Sequence, residues 1–106
     1  MIDSHAQRVF LALADPTRRL LLQHLCEEGS GTAASFATRL PITRQAITKH
    51  LRVMENAGLV RSTQHGRESV WQLEQKRLAA ARRYLQLISA QWDEALGRLK
   101  SFVEHK

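Results

Sequence analysis

The run from Leu40 to Gly58 constrains this chain most, because it contains a stop, a start and a second stop for helical structure within nineteen residues. Pro41 biases Leu40 away from helical backbone and so ends whatever helix precedes it. Two residues later Thr43 is placed to cap a new helix, and Ala57 followed by Gly58 supplies its end, with Gly58 suited to the left-handed position after the last turn. Between these signals Ile47, Leu51 and Met54 recur at steps of four and three, so they share one face. Gln45, Thr48, Lys49 and Arg52 project from the other. The sequence therefore specifies a helix over 43–56 with one face for a core and one polar, cationic face.

The neighbouring segments read as further helices and one hairpin. Ser4 starts a first helix through about Leu13, with Val9, Phe10 and Leu13 as its apolar stripe. Asp15 caps a second, Pro16 occupies its first turn, and Leu20, Leu21, Leu22, Leu25 and Cys26 precede its end at Glu27, Glu28 and Gly29. That density predicts a buried helix, with Cys26 a small core hydrophobe. Residues 29–32 read as a loop, and Ala33 to Leu40 as a short helix. Leu59 to Gln64 and Glu68 to Leu73 are two extended runs about the pivot His65-Gly66-Arg67, a two-stranded hairpin. From about Lys76 to Val103, Leu78, Ala81, Leu85, Ile88, Trp92, Leu96, Leu99 and Val103 recur at steps of three or four. This stripe extends about 38 Å at 1.5 Å per residue, more than one small core covers, so a partner surface is expected. A break near Gly97 is left open by the pattern.

Size and charge narrow the function. At 106 residues the chain is expected to form a single domain, with N-terminal helices over 4–28, a helix pair over 33–57, a hairpin over 59–73 and a C-terminal helix over 76–103. Its single cysteine excludes an internal disulfide. There is no leader-like segment and no long apolar span, so a soluble cytoplasmic protein with no membrane partner is expected. The net charge is +6, and between Arg39 and Arg67 six basic residues face the single acid Glu55. An anionic partner fits that stretch, although a solvated basic face accounts for the charge alone.

A helix with one apolar and one polar face, followed by a basic hairpin, is what the major groove of DNA admits. Gln45 suits adenine, Lys49 guanine, and Thr48 either a hydrogen bond or a thymine methyl. Arg44 and Arg52 lie where phosphates would pass, and the helix start at Thr43 adds backbone N–H donors. His65 and Arg67 at the hairpin tip would reach the flanking backbone or minor groove. His50, beside Leu51, reads as a residue bonded within the domain. The pairs Arg18-Arg19 and Arg82-Arg83 read as solvated helix faces.

The run TRQAITKHLRVMENAGLVRSTQHGRESVWQL resembles the helix-turn-helix and wing of the ArsR-type transcriptional repressors. The likeness rests on Thr48-x-His50-Leu51, on Ala57-Gly58-Leu59-Val60 and on the Gly66-Arg67 turn. The preceding ALADPTRRLLLQHL resembles the family's second helix, so that residues 9–73 match in register. It is similar in particular to the branch without a recognisable metal box, whose last helix carries a Trp followed by Leu and basic residues, here Trp92, Leu96, Arg98 and Leu99. The resemblance implies a mainly α winged helix-turn-helix of about five helices with a two-stranded wing. It also implies a homodimer paired through the first and last helices, with Val9, Phe10, Leu85, Ile88, Trp92, Leu96 and Leu99 at the interface. Its target would be an inverted repeat in double-stranded DNA, which it would occupy as a repressor. DNA contacts would come from Thr43, Arg44, Gln45, Thr48, Lys49, Arg52, His65 and Arg67.

Other classes find less support. Where thiolate-type metal sensors carry paired cysteines, this chain has Ala33-Ala34-Ser35-Phe36-Ala37, and no metal or other cofactor is expected. Asp3, His5, Asp93, Glu94, Glu104 and His105 form the one set from which a site between terminal helices would be assembled. A metal- or ligand-responsive repressor with its effector in the dimer interface, near Trp92 or at the helix ends, is one alternative, and a winged-helix protein-interaction module is another. There is no nucleophile with a nearby base, no glycine-rich phosphate loop and no paired carboxylates, so an enzyme is not expected.

Overall fold

The computed structural model describes residues 4–104, apart from the side chains of residues 77, 78, 81 and 84. In chain order the elements are α1 (Ser4–Leu13), α2 (Pro16–Glu28), β1 (Ser30–Gly31), α3 (Ala33–Ala37), α4 (Arg44–Asn56), β2 (Val60–His65), β3 (Glu68–Leu73) and α5 (Gln75–Glu104).

Local chemistry sets most of the boundaries. The Asp15 carboxylate accepts the Arg18 backbone N–H at 3.1 Å, and Pro16 fills the first turn of α2. The same turn closes α1. Arg18 Nε donates to the Ala12 carbonyl at 2.6 Å, Arg18 Nη2 to Leu11 at 3.2 Å, and Arg19 Nη1 to Leu13 at 2.7 Å. These two arginines, expected to be merely solvated, bond to carbonyls of the last turn of the helix, of which Leu11 also accepts the Ala14 N–H.

Helix α2 is less buried than its leucine content predicts. Leu21 and Leu25, four residues apart, are fully enclosed, whereas Leu20 is partly exposed and Cys26 lies on the surface. One helix face meets the core, and Cys26 sits about 100° round from Leu25. The buried-thiol expectation is corrected accordingly.

A third strand appears in the segment expected to be a loop. Ser30 pairs with Gln72 and Gly31 with Trp71, antiparallel, giving a sheet in the order β1-β3-β2 rather than a two-stranded hairpin. Gly31 is required there, since a Cβ would lie 2.5 Å from Cζ of the buried Phe36. Helix α3 is shorter than predicted. The Arg39 and Leu40 N–H groups both turn back to the Phe36 carbonyl, and Pro41 prevents any continuation.

Helix α4 follows its sequence signals. The Thr43 hydroxyl accepts the Ala46 N–H at 3.1 Å, and Ile47, Leu51 and Met54 have no exposed surface. At the other end Gly58 N–H bonds to Glu55 O and Leu59 N–H to Met54 O, with Gly58 at φ 78°. This is the paired closure that a left-handed glycine permits. Strands β2 and β3 pair from Val60 with Leu73 to His65 with Glu68. Alternation along β3 puts Trp71 and Leu73 on the core side and Val70 on the other. The core of Val9, Leu21, Leu25, Phe36, Ile47, Leu51, Met54, Leu59, Val60 and Trp71 thus draws on every element from α1 to β3 except β1.

Helix α5 runs unbroken for 30 residues, about 45 Å, through Gly97. It packs against α1 and gives the molecule its 68 Å long dimension. Among the described residues no helix is long and apolar enough to cross a membrane.

Candidate nucleic-acid interface

The polar face of α4 is held outward by the burial of the opposite one. Arg44, Gln45, Lys49 and Arg52 are exposed and Thr48 is half-buried. Thr43 is exposed too, its oxygen engaged by the Ala46 N–H. His50 is half-buried at the inward edge, near enough to Asp15 for a positive charge there to favour the carboxylate. The Asp15 pKa is lowered chiefly by its bond from the Arg18 backbone N–H.

The hairpin tip is set by chemistry at two positions. Gly66 has φ 62° and Arg67 a negative φ, the arrangement of a two-residue turn of type II′. The Ser69 hydroxyl donates to Gln64 Oε1 at 3.1 Å, and Gln64 Nε2 donates to the Gly66 carbonyl at 3.3 Å, bracing the turn from one side. His65 and Arg67 are left exposed at its end.

Between the wing, the start of α3 and the first half of α4 lies a concavity of about 170 Å³. Arg44 and Thr48 border it from α4, Arg67, Glu68 and Ser69 from the wing, and Thr32 from the cap of α3, so two cations and one carboxylate meet there. The structure thus brings Arg44 and Arg67, 23 positions apart in sequence, to one notch. Thr32 and Ser69 were not singled out from sequence, although each left a trace. Thr32 forms a reciprocal cap with Ser35, and Ser69 shares the Trp71 face of β3.

Not every basic residue of the central stretch is equally available. Arg39 Nη1 lies 2.6 Å from Glu28, and its guanidinium sits over the Phe36 ring at 5.5 Å. Arg52 is turned toward the hairpin, 3.7 Å from Glu55 and 5.8 Å from the centre of the Trp71 ring. Arg44, Lys49, Arg61 and Arg67 make no ion pair among the described residues. Arg61 lies on the opposite face of β2 from the core-facing Val60.

The expected self-association surface divides. Val9 is only 2% exposed and belongs to the core, because α1 turns that residue inward beside Ala12, so it offers nothing to a partner. Phe10 and Ile88 are half-buried. Leu85, Trp92, Leu96 and Leu99 are exposed, joined by Leu87, Phe102 and Val103 on α5 and by Leu11 on α1. Leu78 and Ala81 of the expected stripe have side chains outside the described set. Of the candidate metal ligands, Asp3 and His105 also lie outside it. Among the described residues no group of three or more His, Cys, Asp or Glu is placed to hold a metal ion.

Comparison with known proteins agrees with this geometry. A helix-turn-helix domain family matches residues 13–63. The uncharacterized HTH-type transcriptional regulator YuzN of Bacillus subtilis is 43% identical over 75 residues, 65% of this chain and 82% of its own length. The HTH-type transcriptional regulator Rv2034 of Mycobacterium tuberculosis is 34% identical over 99 residues, covering 82% of this chain and 92% of that one. A solved structure of an ArsR-like transcriptional regulator from Rhodococcus sp. RHA1 superposes with a TM-score of 0.76 at 39% identity, over 93% of this chain and 92% of the other. With its capped recognition helix, glycine-turned wing and these relatives, the chain belongs to the ArsR family of winged helix-turn-helix, DNA-binding transcriptional regulators.

Proposed function

We propose that the protein acts as a homodimeric repressor that occupies a near-palindromic operator, each copy laying α4 in the major groove and its wing along the flanking backbone. The observation that carries this reading is the convergence of Arg44 and Arg67 on one notch beside the outward face of α4. Two cations from separate elements outnumber the single carboxylate at this concavity, Glu68, and suit a phosphate, while Gln45, Thr48 and Lys49 project toward base edges. The N–H groups of Arg44 and Gln45, in the first turn of α4, have no intrahelical acceptor, and a second phosphate suits them. Thr43 serves this site by capping that turn, and His65 extends the wing's reach.

Self-association is supported by the exposed side chains of α5. Leu85, Trp92, Leu96, Leu99 and Val103 form a stripe along a helix that extends past the core, and water is a poor solvent for it. A second copy related by two-fold symmetry covers it with the same stripe. The two recognition helices would then meet half-sites about 34 Å apart.

The test is a mobility-shift titration of the chain against DNA upstream of its own gene, with Gln45→Ala and Lys49→Ala alongside. Each variant is expected to lose discrimination at its own base position, by about 1–3 kcal/mol. Unchanged discrimination in both would refute the base-reading assignment.

A further inference from the structure

We propose that Arg52, Glu55 and Ser62 fix the angle between the recognition helix and the wing, with Arg52 a positioning residue and not a phosphate contact. The inference rests on reading α4 and the hairpin as the DNA interface. Glu55 is the one acid between Arg39 and Arg67. A carboxylate beside a phosphate-binding surface weakens binding by repulsion, so its place there calls for a compensating use.

That use is visible in its contacts. Ser62 Oγ, on β2, donates to Glu55 Oε2 at 2.7 Å, and Arg52 Nη1, on α4, lies 3.7 Å from Oε1. One carboxylate oxygen thus faces the wing and the other faces the helix. The Arg52 guanidinium also sits over the ring of Trp71, the residue paired with Ser62 across the two strands. Carboxylate and guanidinium therefore grip the same rung of the hairpin, the third from its root.

That rung governs the tip by leverage. Trp71 is enclosed in the core, whereas Arg67 stands in the turn four residues before it, about 13 Å away at 3.3 Å per residue. A change of about 10° at the rung displaces Arg67 by about 2 Å, enough to break a hydrogen bond to phosphate. Arg52 and Ser62 are exposed, so replacing them leaves the core intact.

The experiment measures binding of the full chain to a selected operator and to an unrelated duplex across a series of salt concentrations. Arg67→Ala, as the phosphate reference, is expected to lower the salt slope by about 1.8, one phosphate contact in each copy of the dimer. Arg52→Ala is expected to leave the slope unchanged and to reduce the ratio of operator to unrelated binding about fivefold. Ser62→Ala should do the same, on the scale of one hydrogen bond to a charged group, and Ser62→Thr, which keeps the hydroxyl, should restore the ratio. The double variant Arg52→Ala with Ser62→Ala should lose less than the product of the two single losses, as members of one network do. A slope lowered by about 1.8 in Arg52→Ala with an undiminished ratio would make Arg52 an ordinary phosphate contact in each copy and overturn the proposal. Failure of the unaltered chain to bind any duplex would overturn the interface reading itself, and the proposal with it.

Discussion

Trp92→Ala tests the role of α5 with a magnitude that the structure supplies. Trp92 is 63% exposed and flanked in its shallow hollow by Gln91 and Ala95, so it contributes little to the core of one copy. A tryptophan side chain presents up to about 250 Å², of which about 160 Å² then faces water. At about 25 cal/mol per Å², complete covering by a partner is worth about 4 kcal/mol, and half covering about 2 kcal/mol. Two-fold symmetry uses the residue twice, so half covering gives about 4 kcal/mol for the dimer, a rise in Kd of nearly a thousandfold. Sedimentation equilibrium across a concentration series reads this directly, with circular dichroism to verify that the helices remain. A dimer Kd that is unchanged in the variant, or an unaltered chain that sediments as a monomer throughout, would refute the assignment of α5 to self-association.

Three other perturbations bear on the parts that place the interface. Gly31→Ala drives a Cβ to 2.5 Å from Cζ of the enclosed Phe36, and overpacking of that kind should cost about 1–3 kcal/mol in urea unfolding; a negligible loss would show that the ring moves freely. Arg18→Ala removes the donors to the Ala12 and Leu11 carbonyls, and a loss of about 1 kcal/mol is expected, read as a lowered Tm. Asp15 has its pKa held below the ordinary 3.8, first by the Arg18 backbone N–H, so its carboxylate stabilises the fold above that value and the contribution fades as pH falls through the lowered one. Denaturation measured from neutral pH downward should therefore show an acid loss below about pH 4 that is reduced in Asp15→Asn, which keeps the cap; identical acid limbs would contradict the cap's charge dependence.

The recognition helix was legible because three independent signals agreed over one short span: a capping Thr43, a terminal Gly58 and an apolar face of one period. The wing was legible from Gly66, since a two-residue turn with a left-handed first position admits little else. Strand β1 was not, because two residues carry no alternation to read. The leucine run in α2 gave no phase, and only packing distinguished enclosed Leu25 from exposed Cys26. Val9 and Leu11 are both apolar and sit on one short helix, one facing the core and the other outward. Sequence does not say which of two apolar destinations a residue serves. For Arg18, Arg19 and Arg52 the helical position was known, but a long side chain chooses among carbonyls, carboxylates, rings and water only when the neighbouring elements are in place.

That contrast leaves the reading of bases by a paired α4 as the central claim. Selection of binding sites from random duplexes with the full chain tests it most directly. A paired α4 should enrich an inverted repeat whose half-site centres lie about 10–10.5 base pairs apart, with Gln45→Ala relaxing the preference at symmetric positions in both halves. An enriched single half-site, or no enriched sequence at salt concentrations where binding persists, would contradict it.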